Sequence, residues 1–127
     1  VYRITSAGRK AAAAWVAEPV DPPKVRDALL VQLYGASLVR DDSILAELDR
    51  HIAVHEKSLA EYEDREEAYL GADEDTRRRM KLPYLTLRRG IRYVRGSVEW
   101  LRETREFIAA DKLPKQPVPG KTKRAKA

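Results

Sequence analysis

The sequence predicts an all-α fold, in which long antiparallel helices form a dimeric helical bundle behind a short N-terminal β-strand. Three observations carry this expectation. Apolar residues recur with the 3-4 spacing of a heptad over two long stretches, 45–62 and 84–108. Capping residues and helix breakers punctuate the chain at the ends of those stretches. Alternation of Tyr2 and Ile4 with Arg3 and Thr5, the period of a strand, marks residues 1–5.

After that strand, Thr5 or Ser6 can cap a helix over 7–18, through the alanine run 11–14 and Trp15, which Pro19, Pro22 and Pro23 close. Asp21 suits the cap of a second helix over 23–39, with proline in its first turn, where the missing N–H costs nothing. Val25, Leu29, Gln32, Leu33 and Ala36 give this helix a stripe, and Leu30 and Tyr34 widen it. Asp41, Asp42 and Ser43 are the next capping cluster, opening a helix that runs to Leu70 and stops at Gly71. Its seam reads Leu45, Leu48, Ile52, His55, Leu59, Tyr62, and its length is about 42 Å at the helical rise. A charged connection follows over 72–81. Pro83 then suits the start of a last helix over 83–110, with the seam Tyr84, Leu87, Ile91, Val94, Val98, Leu101, Arg105, Ile108. Arg105 alone breaks that seam. Gly90 and Gly96 each cost about 1 kcal/mol inside a helix, so one of them is expected to allow close backbone approach.

Composition narrows the function. The chain has 127 residues, room for one domain, with 43% hydrophobic and 35% charged residues. It holds no cysteine, which excludes disulfides and thiol chemistry. No apolar run reaches a membrane span and no signal peptide is visible, so a cytoplasmic protein without a membrane partner is expected. The formal net charge is +5, but residues 112–127 hold six Lys or Arg and no acid. The remainder carries 19 basic and 20 acidic residues, so the folded part is nearly neutral and the basic tail is expected to be disordered. A chain opening on Val1 instead of Met is expected to continue upstream.

Several clusters are candidate sites. His51 and His55 lie one helical turn apart, as zinc ligands can, but Ile52 stands where a metalloprotease needs its Glu, so packed histidines are expected. The acidic run Glu61, Glu63, Asp64, Glu66, Glu67 reads as a solvated face, and the arginines around 77–95 read as its electrostatic complement, in the same chain or a partner. Trp15, Tyr34, Tyr93 and Trp100, with Phe107, either line a candidate ligand pocket or belong to the core. Nothing points to an enzyme, a cofactor or a metal.

The run Tyr2-Arg3-Ile4-Thr5-Ser6-Ala7-Gly8-Arg9, followed by Trp15 and Pro19, resembles the end of the wing in PadR-family transcriptional regulators, with Ile4 where the family usually has Leu. Arg26-Asp27, Leu29-Leu30 and Leu33 resemble the opening of that family's helical C-terminal domain. Gly90-Ile91 and Glu99-Trp100-Leu101 resemble its last helix. The resemblance covers residues 1–111 and implies a winged helix-turn-helix repressor that binds operator DNA as a dimer and can be released by small aromatic effectors. The DNA-reading helices of that family are expected upstream of Val1, and Arg3 and Arg9 are the DNA contacts that the resemblance implies within these residues.

Four segments follow from this: the end of the wing (1–5), a linking helix (6–18), a dimerisation domain (19–111) and a basic tail (112–127). The expected homodimer interface is the pair of seams, Leu45, Leu48, Ile52, Leu59 and Tyr62 with Leu87, Ile91, Val94, Val98 and Leu101. The alternative is a self-contained helical interaction module with no DNA role.

Overall fold

The computed structural model describes residues 2–39 and 42–112, and the expected basic tail from 113 onward lies outside them. The described residues form five helices: α1 (Ser6–Val16), α2 (Ala28–Val39), α3 (Ser43–Leu70), α4 (Glu74–Arg79) and α5 (Lys81–Ala109). The chain divides into two compact units, Val1–Val31 and Gln32–Ala127.

In the first unit, α1 starts where the Thr5 hydroxyl accepts a hydrogen bond from the Gly8 amide at 3.0 Å, satisfying one of the unpaired first-turn donors. No residue of α1 is buried. Residues 2–5 are not a strand: β-pairing needs a neighbouring strand to complete its ladder, and the described residues supply none. The second helix also begins later than expected. Asp27, not Asp21, accepts the Leu29 amide at 3.0 Å and opens α2 at Ala28, while residues 17–27, with their three prolines, stay irregular apart from the turn that follows α1.

The second unit is built on an antiparallel hairpin of α3 and α5, 28 and 29 residues long. Gly71 closes α3, its N–H donating to the Glu67 carbonyl at 2.9 Å. The connection expected after it contains a further helix. Asp73 caps α4 by accepting the Thr76 amide at 2.9 Å. Glu74 and Asp75 then stand at the positive end of the helix dipole, and Arg77, Arg78 and Arg79 at the negative end. α5 starts two residues before Pro83, which sits inside the first turn, where amides lack intrahelical partners anyway. Asp42 precedes α3, but its side chain makes no capping bond.

The two seams meet each other. Ile44 and Leu48 of α3 and Ile91, Val94, Val98 and Leu101 of α5 are buried, with Leu48 wholly inaccessible. Where the helices approach the α4 turn, Tyr69 stacks on Tyr84 with ring centroids 4.0 Å apart. Gly90 lies against Tyr62: a Cβ there would stand 3.3 Å from Tyr62 Cε2. Gly90 is therefore the glycine that permits close approach within the chain. Around Gly96 nothing lies within 4 Å of such a Cβ. The break in the α5 seam is also resolved. Arg105 is half-buried and forks onto the Asp49 carboxylate, Nε to Oδ1 and Nη2 to Oδ2.

Arg105 with Asp49 is one rung of a ladder. Arg102 pairs with Glu56, and Arg95 with Glu63 at 3.0 Å. The carboxylates are seven residues apart along α3 and all the guanidiniums belong to α5, so a register slip would break every pair at once. Exposed pairs contribute little individually. Their effect is on register and orientation.

Two outcomes follow. Leu48→Ala should lower unfolding stability by about 2–5 kcal/mol in urea titration, whereas Val54→Ala, on an exposed position of the same helix, should cost less than about 1 kcal/mol. Gly96→Ala should raise stability by up to about 1 kcal/mol, and Gly90→Ala should gain less because the added methyl meets Tyr62.

Candidate association surface

α2 reads Ala-Leu-Leu-Val-Gln-Leu-Tyr-Gly-Ala-Ser-Leu-Val and is apolar around nearly its whole circumference. A helix of that kind is normally buried on all sides. Here only Leu29 is buried, with Leu33, Gly35 and Ala36 half-buried. On the side toward the hairpin, Leu33, Ala36 and Ser37 share a groove of about 450 Å³ with Ile44, Phe107 and Ile108. On the other side Tyr34 and Leu38, four residues apart and so on one stripe, are each 78% exposed.

The hairpin carries a second uncovered apolar strip. Tyr93, Trp100 and Phe107 follow one another at heptad spacing on α5. Tyr93 is well exposed, Trp100 is 36% exposed, and Val54 of α3 is exposed too. His55 meets Tyr93 edge-on, with ring centroids 6.5 Å apart.

The expected site residues are thus redistributed. Leu48, Ile91, Val94, Val98 and Leu101 are buried inside one chain and have no surface left for a partner. Leu45, Ile52, Leu59, Tyr62 and Leu87 are half-buried along the same hairpin. Within the chain the two seams join α3 to α5, because the α4 turn lets two helices of nearly equal length fold back on each other. Tyr34, Tyr93 and Trp100 line none of the larger grooves of their unit. Trp15, in the first unit, is exposed, and so are Arg3 and Arg9. An aromatic groove of about 490 Å³ is lined instead by Tyr62, Arg65, Tyr69, Met80 and Tyr84 near the hairpin turn. In sequence its tyrosines read as seam positions, Tyr69 one heptad after Tyr62.

Polar chemistry on the hairpin is structural. Arg50 donates to both oxygens of Glu47, at 2.6 and 3.0 Å, and holds that carboxyl down to about 2. His51 Nε2 lies 3.0 Å from Glu47 Oε1. The hydrogen bonds from Arg105 hold the Asp49 carboxyl below its ordinary value. Desolvation, with the nearby Glu66 carboxylate, raises the Tyr84 phenol. Among the described residues, no group of three or more His, Cys, Asp and Glu could hold a metal ion, and no helix is long and apolar enough to cross a membrane.

Both depressed carboxyls stabilise the folded state at a pH above their unfolded values, and that contribution fades as pH falls through their folded values. The melting temperature should therefore hold from neutrality to about pH 5 and drop between roughly pH 4.5 and 2. In Asp49→Asn combined with Arg105→Leu, thermal melts across that range should show a shallower drop.

Comparison with known proteins places this geometry. Residues 25–109 match the family model described as virulence activator alpha C-term. No curated protein matches the chain. Among solved structures, it is similar to the virulence activator AphA of Vibrio cholerae, with a TM-score of 0.70 and 30% sequence identity. The similarity covers 87% of this chain and 66% of that one, so the present chain spans just under two thirds of the length of that structure. The chain belongs to the family of virulence activator alpha C-terminal domains.

Proposed function

We propose that this chain is the pairing domain of a DNA-binding transcriptional regulator of the PadR type, joining two copies so that their DNA-reading parts meet operator DNA at a fixed spacing. The observation that carries the reading is α2. Tyr34 and Leu38 stand open to water on a helix that is almost wholly apolar, while the hairpin core is complete. Exposed apolar surface of this kind, like the separate Tyr93–Trp100 strip, is a mark of association, and its aromatic content suits an interface anchor. A chain whose long seams are filled internally must pair through what they leave uncovered.

Family membership and the likeness to a virulence activator support a regulatory role. The mechanism is geometric. A two-fold dimer fixes the distance between two DNA-binding units, and operators read by such dimers carry half-sites about one helical turn, or roughly 34 Å, apart. In this reading Arg3 and Arg9, exposed and flanking the start of α1, serve as phosphate contacts, which fix register without reading sequence. The sequence resemblance implies a repressor and the structural neighbour is named an activator; the pairing geometry serves either sign.

Light scattering at moderate salt should give twice the 14.5 kDa chain mass at micromolar concentration. Tyr34→Glu with Leu38→Glu should weaken pairing by at least about a hundredfold while leaving far-UV helicity intact. A monomer mass for the unmodified chain would contradict the reading.

A further inference from the structure

The ion-pair ladder on the flank of the hairpin stops one rung short of the turn. Its rungs keep step, seven residues up α3 for seven residues down α5, from Glu56 with Arg102 to Glu63 with Arg95. One further step matches position 70 with position 88, where Arg88 is present but Leu70 stands in place of a carboxylate. Arg88 and Arg92, one turn apart, are exposed and take part in no ion pair among the described residues. With Leu85 and Arg89 they line a shallow hollow of about 260 Å³. Leu85 and Leu70 are both exposed. This corner of the hairpin thus combines uncovered leucines with guanidiniums that lack the acids their neighbours on the same helix have.

We propose that this corner is a docking site for an acidic, leucine-bearing helical segment of a protein other than this chain. A carboxylate of that segment takes the open rung at Arg88, a second acid one turn along it reaches Arg92, and an apolar side chain between them covers Leu85 and Leu70. Residues four apart on a helix surface lie about 5–6 Å from each other, so acids at that spacing match Arg88 and Arg92, which have the same spacing. Each guanidinium can hold a carboxylate through two parallel N–H bonds, which fixes orientation as well as charge. Duplex nucleic acid suits the corner less well, since a phosphate backbone offers nothing to cover two leucines. A second copy brings the wrong chemistry through its uncovered apolar helix, because α2 contains no acid from Ala28 to Val39. The site does not rest on pairing through α2. It gives a regulator a place to hold a second protein while its own pairing surface stays free.

Fluorescence anisotropy on the full chain tests this. The probe is a labelled peptide of about 20 residues, long enough to hold helix, with glutamates four residues apart and a leucine between them on the same face. The unmodified chain should bind this peptide, and should bind versions with Gln for Glu, or Ser for Leu, at least about tenfold more weakly. Arg88→Glu with Arg92→Glu should weaken binding by a similar factor. The decisive variant is Leu70→Glu, which supplies the missing rung from within the chain. It should bind the peptide at least about tenfold more weakly while melting no lower than the unmodified protein. Tyr34→Glu with Leu38→Glu should leave peptide binding unchanged, so failure of α2 pairing and failure of this site are read separately. Absence of peptide binding, equal binding of the Gln version, or undiminished binding by Leu70→Glu would overturn the proposal. So would displacement of the peptide by duplex DNA, or by excess unlabelled chain carrying Arg88→Glu with Arg92→Glu, since either would name a different occupant.

Discussion

Two amphipathic helices of nearly equal length, α3 and α5, each carry a single apolar seam, and the short α4 turn brings those seams face to face. Every other feature of the second unit depends on that pairing. It buries Leu48 and Leu101 almost completely and takes up the interior side of both helices. It aligns the carboxylates of Asp49, Glu56 and Glu63 with Arg105, Arg102 and Arg95, so apolar burial supplies most of the stabilisation while charge sets the register. Because the hairpin closes on itself, the apolar surface that remains lies elsewhere, on α2 and on the Tyr93–Trp100 strip.

Much of this was legible in residue spacing. The 3-4 periodicity located α3 and α5 to within two residues, and the helical class followed from it. What spacing could not decide was which seam meets which. A heptad stripe shows that a helix needs a partner helix, and the same pattern suits a neighbour in the chain or a second copy. The α4 turn decides in favour of the chain, and its signal was present in Asp73 and in the acidic-then-basic order of 74–79. In sequence that order reads as a charged loop, because six residues carry no hydrophobic period. Arg105 looked like a defect in the seam until Asp49 came alongside from the other helix, 56 residues away in sequence. The later start of α2 turned on one side chain, Asp27, competing with Asp21 for the same capping role.

The candidate surface was harder to read for a related reason. In sequence Tyr34 is a ligand-pocket candidate, because aromatic residues suit a cavity as well as an interface and only exposure separates the two. The more telling signal was the whole of α2: a helix with almost no polar side is a poor surface helix for a lone chain. Its apolar excess makes sense once pairing is the domain's work. A ligand that changed the function would have to bind one geometry of the pair better than another.

The central claim is that α2 is covered by a second copy in solution. Amide hydrogen exchange of α2, followed as protein concentration is raised through the micromolar range, tests it most directly. A paired helix should gain protection with concentration while the α3 and α5 core amides stay constant. If α2 exchanges at the same rate at every concentration, the helix is not covered by its own kind and the pairing reading fails.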